Sequence, residues 1–332
     1  MEPKVDMTQS LAVRSKRTQR QNKKLAKKSL RASNTGPPLG ICDLPSDLFL
    51  PIVCLLEPRD IITLSRVNGP IRDFIISEEK YIARQVIRLR YDCLAKCFLR
   101  PVLMRDVDPA YHQGLMSAGR PEDPLKTHKR IFHHIQEPDP SVVCTCLTCV
   151  QRWNSLCIVL DFAHWQRYLD NGTPIPIVPR GAAPEWNRKL LQSNAKIVLG
   201  SLHSDLFYAR ILQKHLSSIT GSIQRHSQNK GNRRKRFRMT DDDVQRGTSD
   251  FLERSGPPTI DFPHNRDNYY MLEAFLPNRG WITERNAWVY VPEDQHEKDL
   301  EIAVMWEEWA KRRQAEARRL AATQPEQINR SS

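Results

Sequence analysis

The chain has 332 residues, a formal net charge of +13, and a hydrophobic fraction of 39%. This length allows about two domains, and no run of about 18 apolar residues occurs, which excludes an ordinary transmembrane helix. The first residues lack the apolar segment of a secretory signal. Eight irregularly spaced cysteines are typical of reduced thiols inside a cell. We therefore expect a protein of the nucleus, the cytoplasm or both, with no membrane partner.

Two tracts carry the positive charge. Residues 1–36 have a net charge of +8 and residues 230–238 a net charge of +6, so the remainder is close to −1. A nearly neutral body argues against a broad nucleic-acid footprint, so nucleic acid is not the expected partner. Residues 1–40 are predicted to be a disordered basic tail.

The second tract fits a nuclear-import sequence, in which an extended basic peptide binds the acidic grooves of an importin. Its candidate residues are Lys230, Arg233, Arg234, Lys235, Arg236 and Arg238. A solvated charge run, or a weak and salt-sensitive contact with nucleic acid, has the same composition, and both alternatives stay open.

Residues 41–90 have the spacing of three short helices. Leu48, Ile52 and Leu55 share one face of a helix that begins near Pro45. A break at Pro58 precedes a second apolar stripe, which begins at Ile61 and is interrupted near residues 69–70 by a Gly-Pro pair. So small a unit buries little surface alone and often needs a partner. An ordinary three-helix core element and a DNA-reading helix-turn-helix share this pattern.

The Leu-Pro start, the Pro/Asp break and the Leu-x-x-Val helix together resemble the F-box family. The resemblance implies that six residues bind the Skp-type adaptor of a cullin–RING ubiquitin ligase: Leu44, Pro45, Ile52, Leu56, Leu64 and Val67. Pro51 inside the first helix and Asn68-Gly69-Pro70 after the second differ from the family pattern.

Two later stretches resemble uncharacterised F-box proteins of filamentous fungi: Trp153–Trp165, and Tyr270–Arg279 with Gln295-His296 and Asp299-Leu300 beyond it. The resemblance implies a substrate receptor whose C-terminal region holds a target protein of unknown identity. Ubiquitin transfer would be catalysed by the other subunits.

The rest of the chain is predicted to be mainly α with minor β. Residues 91–220 form a central α-rich region, with 187–219 helical from their three-to-four-residue apolar spacing. Residues 221–258 are predicted to be a basic and then acidic linker. Residues 259–322 form a C-terminal region, with a strand at 286–291 and a last helix that begins after Asp294 and holds His296 in its first turn.

Cys146-Leu147-Thr148-Cys149, with Cys144 two residues earlier, is the sharpest chemical motif. A Cys-x-x-Cys pair can direct two thiolates at one tetrahedral zinc ion, but a second such pair is absent. Cys157, His133, His134 and His164 are the further candidate ligands nearby in sequence. Cys157 lies in an apolar run and His164 beside a tryptophan, so both are predicted to be core residues. Zinc ligands, packed free thiols and a redox pair remain as interpretations.

No nucleophile elbow, P-loop or dinucleotide-binding glycine motif occurs, so the chain is predicted not to be an enzyme. The leading hypothesis is an F-box substrate receptor. The alternative is a nuclear protein that contacts nucleic acid through its basic tracts.

Overall fold

The computed structural model of the chain describes residues 44–116, 134–179, 181–228, 239–254 and 275–323, and positions 17, 20, 21, 23 and 24. In these residues the fold is mainly α with one two-stranded sheet, as predicted. The chain divides into two units, Met1–Ile52 and Val53–Ser332. None of the described helices combines the length and the hydropathy needed to cross a membrane.

The helices in the described residues, in chain order, are α1 Ser46–Leu55, α2 Pro58–Leu64, α3 Gly69–Ser77, α4 Glu79–Arg90, α5 Asp92–Cys97, α6 Pro109–Met116, α7 Leu147–His164, α8 Gln166–Asn171, α9 Glu185–His203, α10 Asp205–Gln228, α11 Asp241–Arg246, α12 Phe251–Arg254 and α13 Gln295–Thr323. The strands are β1 Arg279–Ile282 and β2 Ala287–Tyr290.

The three short helices predicted between Asp43 and about Tyr81 are present as α1, α2 and α3, and α4 follows them to Arg90. Local chemistry sets the limits of α2 and α3. Pro58 occupies the first turn of α2, where its missing N–H leaves no bond unmade. The side chain of Asn68 accepts a 2.9 Å hydrogen bond from the N–H of Ile71 and so caps α3. Ile61 and Ile75 are buried, which fixes the inner faces of α2 and α3.

Helix α10 lies at the centre of the Val53–Ser332 unit and packs against α2, α4, α7 and α9. The stretch predicted to be one helical segment is two helices, since Ser204 is extended between α9 and α10. Glu79 of α4 accepts hydrogen bonds from the Ser204 hydroxyl at 2.5 Å and from the Leu206 N–H at 3.1 Å. These bonds satisfy donors at the start of α10 that no helical carbonyl can reach.

Helix α13, predicted after Asp294, packs against α6 and α7. A close approach between α6 and α13 occurs at Gly114, where a Cβ would lie 3.0 Å from a carboxylate oxygen of Glu307 and 3.5 Å from the carbonyl oxygen of Ala303. The predicted strand is present as β2, which pairs antiparallel with β1. The packing of α13 against α6 and α7 brings the first turn of α13 to the N-terminal end of α7.

Part of the predicted linker is helical. In α11 the side chain of Asp243 accepts from the Thr240 N–H and hydroxyl, and the Thr240 hydroxyl accepts from the Asp243 N–H, which forms a capping box. Phe251 and Leu252 of α12 are fully buried. The basic tract of residues 230–238 and most of the predicted N-terminal tail lie outside the described residues.

Candidate metal centre

Three cysteines and one histidine meet at the N-terminal end of α7. The ligand atoms of Cys144, Cys146, Cys149 and His296 all lie within 4.8 Å of one another. All four residues are buried, the cysteines almost completely. This group can hold a metal ion.

Each cysteine is placed by a backbone contact. Cys144 follows a short antiparallel bridge between Leu103 and Val143, and its N–H donates to the carbonyl oxygen of Val102 at 2.9 Å. Cys146 is the N-cap of α7, and Cys149 lies in the first turn. The bridge just before Cys144 and the first turn of α7 therefore bring the three sulfurs to the same side of the chain.

Every sulfur accepts a backbone hydrogen bond. The Cys146 N–H lies 3.5 Å from the Cys144 sulfur, the Cys149 N–H lies 3.4 Å from the Cys146 sulfur, and the Val102 N–H lies 3.4 Å from the Cys149 sulfur. Hydrogen bonding to Cys144 and Cys146, and then burial, raise the pKa of the Cys149 thiol. A cation beside the sulfur favours the thiolate instead, as a bound metal ion would.

His296 completes the group from the first turn of α13. Its Nδ1 atom lies 3.3 Å from the Cys146 sulfur and 3.5 Å from the Cys149 sulfur. Bond lengths of about 2.3 Å for zinc–sulfur and about 2.0–2.1 Å for zinc–nitrogen place tetrahedral ligands about 3.5 Å apart. The two observed separations match that spacing.

A buried carboxylate fixes the helix that carries His296. Asp299 accepts hydrogen bonds from the Thr148 N–H at 2.7 Å and from its hydroxyl at 2.6 Å, and a third from the Gln295 side chain at 2.9 Å. The first turn of α13 is thus bonded to the first turn of α7. Apolar side chains, including Met104, Val107, Leu115 and Leu300, pack around the cluster.

The sequence predicted three of these four residues. His296 lies in the first turn of the last helix, as predicted, but no motif in the sequence marks it as a ligand. Among the other candidate ligands, Cys157 is buried in the body of α7 as predicted. His134 is buried away from the cluster, and His133 lies outside the described residues.

The expectation of a core histidine at position 164 is wrong. His164 is exposed, because it is the last residue of α7 and its ring packs only edge-on against Trp165. His164 also lines a cleft of the Val53–Ser332 unit.

The predicted adaptor-binding residues differ in exposure. In the Met1–Ile52 unit, Leu44 and Ile52 are 39% and 42% exposed, and Pro45 is also exposed. In the Val53–Ser332 unit, Val67 is 67% exposed, while Leu56 and Leu64 are half-buried. The six import candidates, Lys230, Arg233, Arg234, Lys235, Arg236 and Arg238, lie outside the described residues.

Comparison of the chain with protein-family models, with curated proteins and with solved structures finds no match.

Proposed function

We propose that the chain is an F-box substrate receptor, a subunit that recruits a target protein to a Skp–cullin–RING ubiquitin ligase. Residues 41–90 would bind the Skp-type adaptor. The region that follows would hold the target. The proposal rests on the sequence resemblance together with the solvent exposure of residues that the resemblance assigns to the adaptor.

That exposure is the observation that carries the proposal. Three apolar residues at motif positions keep 39% or more of their surface in solvent: Leu44 and Ile52 in the Met1–Ile52 unit, and Val67 in the Val53–Ser332 unit. A side chain that binds a partner must be accessible to it, and in each unit these motif residues are accessible.

The chain's contribution to ubiquitin transfer would be positional. A target held on the same assembly as the transferring subunits is present at a high effective concentration, so transfer no longer depends on a chance encounter. No catalytic group is required of this chain.

Pull-down of the tagged full chain from cells tests the proposal. We expect the wild type to recover a Skp-type adaptor and a cullin in moderate salt, and the double variant Leu44→Ala/Pro45→Ala to lose both. Ile76→Ala is the matched control, because Ile76 is 62% exposed but lies outside the six assigned residues. Loss of the adaptor from all three proteins, with nucleic acid retained until salt removes it, would instead favour the alternative hypothesis.

We also propose that Cys144, Cys146, Cys149 and His296 bind a structural zinc ion. Three sulfurs and one nitrogen are a common donor set for structural zinc, and four protein ligands leave no position for substrate. The proposed role is structural, since such an ion would cross-link α13 to α7. In zinc-finger peptides binding of this kind is worth about 10–16 kcal/mol.

Metal analysis of purified full-length protein tests the zinc proposal. The wild type should retain one zinc ion per chain, and Cys149→Ser should not. Cys157→Ser is the matched control, because Cys157 is an equally buried cysteine of α7 outside the cluster. Zinc absent from wild type expressed in zinc-supplemented medium, or equal zinc in all three proteins, would rule the site out.

A further inference from the structure

A cleft of about 480 Å³ opens on the side of the Val53–Ser332 unit where α2, α7, α9 and α10 meet. Its walls include Arg59 of α2, His164 at the end of α7, Asn194 of α9, and Arg210 and Lys214 of α10. The volume is within the range of about 300–1,000 Å³ that is usual for small-molecule sites. Neither proposal above makes use of this cleft.

The cleft carries an excess of positive charge. Arg59, Arg210 and Lys214 line it, and Glu57 is the one carboxylate among its described lining residues. That carboxylate is already engaged, because it accepts a 2.5 Å hydrogen bond from the Gln213 side-chain amide. The two guanidinium groups and the ammonium thus outnumber the carboxylates of the described lining. Arg210 also donates a 2.6 Å hydrogen bond to the Gln213 side-chain oxygen, and Asp60, outside the lining, acts with Glu57 to raise the pKa of the Arg210 guanidinium.

The cations act on one another and are only partly hydrated. Burial, and then the neighbouring Arg59, lower the pKa of the Arg210 guanidinium. Burial, and then Arg210, lower the pKa of the Lys214 ammonium. Among the described residues no carboxylate lies within ion-pair distance of the Lys214 ammonium. A bound anion would relieve this repulsion, since opposite charge at short range favours the protonated form of both groups.

An unused hydrogen-bond donor lies in the same wall. The Nδ2 atom of Asn194 is buried and has no hydrogen-bond partner among the described residues. Only 5% of Asn194 is exposed. A buried donor without a partner is costly, and native proteins normally provide one. A ligand oxygen in the cleft would accept from this amide.

A second unpaired atom restricts the chemical class of the ligand further. The side-chain oxygen of Gln166, also in the wall, is buried without a partner, while its Nε2 atom donates to Asp170 at 2.8 Å. A bare inorganic anion fills the cationic part of such a site. A ligand that adds a hydroxyl or amide donor to its oxyanion satisfies the Gln166 oxygen as well.

We propose that this cleft binds a small ligand through an oxyanion, either a phosphate monoester or a carboxylate, held by Arg59, Arg210, Lys214 and the Asn194 amide. The proposal concerns only the Val53–Ser332 unit and does not depend on adaptor binding or on zinc.

Titration calorimetry of the full chain against inorganic phosphate, phosphoserine and acetate, at about 150 mM salt to screen loose surface charge, tests the proposal. Lys214→Met should weaken binding by about tenfold or more, as expected when a charged hydrogen bond is lost. Lys196→Met is the matched control, because Lys196 is an exposed lysine of α9 outside the cleft, and it should bind as the wild type does. A preference for phosphate and phosphoserine over acetate identifies the phosphate source, and the reverse preference identifies the carboxylate source.

Asn194→Leu gives a second test, in which a loss of ligand binding can be distinguished from a loss of folding. Removal of the unpaired donor should leave the ligand-free melting temperature unchanged or higher, while the rise in melting temperature that phosphate or acetate causes in the wild type should be lost. Two results would overturn the proposal. One is equal binding by the wild type and the Lys214→Met variant, as expected if anions bind only the basic tract of residues 230–238. The other is an absence of binding by the wild type at millimolar concentrations of all three compounds.

Discussion

Replacement of Asp299 by alanine should loosen the attachment of α13 to α7. The carboxylate accepts two hydrogen bonds from Thr148, one from its N–H at 2.7 Å and one from its hydroxyl at 2.6 Å. Hydrogen bonds to a charged group contribute about 1.5–3 kcal/mol each, and Asp299→Ala also leaves the buried Thr148 N–H without a partner. We therefore expect the free energy of unfolding to fall by about 3–5 kcal/mol. In a unit of this size that loss lowers the melting temperature by roughly 6–10 °C.

Thermal unfolding followed by circular dichroism measures the effect, and Asp294→Ala is the control. Asp294 lies just before the same helix and pairs with Lys298 at 2.9 Å on the exposed surface, where such a pair contributes about 0–1 kcal/mol. If the two variants melt within about 1 °C of each other, the inferred attachment is wrong.

The same variant should weaken metal binding. Asp299 sets the orientation of the helix turn that carries His296, and removal of groups that hold a ligand in place typically lowers metal affinity by about 10–100-fold. Competition with a chromogenic chelator measures this change. Wild-type zinc affinity in Asp299→Ala would show that His296 is placed by other contacts.

Three further variants test the packing and the buried histidine. Gly114→Leu should destabilise the protein by about 1–3 kcal/mol, because the new side chain must displace the carboxylate of Glu307. Gly200→Ala should stabilise the protein by about 0.5–1 kcal/mol, because Gly200 lies in the interior of α9 and an added Cβ meets nothing within 4 Å. Denaturant titrations of both variants decide this, and a destabilised Gly200→Ala or an unaffected Gly114→Leu contradicts the packing. Burial lowers the pKa of His215 to about 4, so the unfolded chain takes up this proton at a higher pH than the folded chain does. Stability should therefore fall as the pH drops from about 6.5 towards about 4, by up to about 3 kcal/mol from this group. His215→Leu should flatten that dependence, and an unchanged slope would refute the assignment.

The sequence predicted the elements whose limits are set locally. The Pro58 break and the Asn68 cap act on their own or adjacent turns, so α2 and α3 follow from residue types alone. The three-to-four-residue spacing of apolar residues likewise predicted the helical segment that contains α9 and α10. Ser204 was not recognised as the break between them, because the carboxylate that caps α10 there comes from Glu79, 125 residues earlier in the chain.

The metal centre was only partly predictable. Cys144, Cys146 and Cys149 are close in sequence, so a short bridge and one helical turn suffice to bring them together. His296 is 147 residues from Cys149 and reaches it only after α13 docks on α6 and α7. No local pattern encodes that docking. Asp299, which fixes it, is one more acid in a helix rich in charge.

Binding of a purified Skp-type adaptor to the purified full chain tests the central claim most directly. Sedimentation velocity at about 150 mM and at about 500 mM salt should show a one-to-one complex at both concentrations, because the proposed contact is apolar. A chain that unfolds cooperatively yet forms no complex would contradict the assignment as a substrate receptor, and so would a complex that the higher salt dissolves.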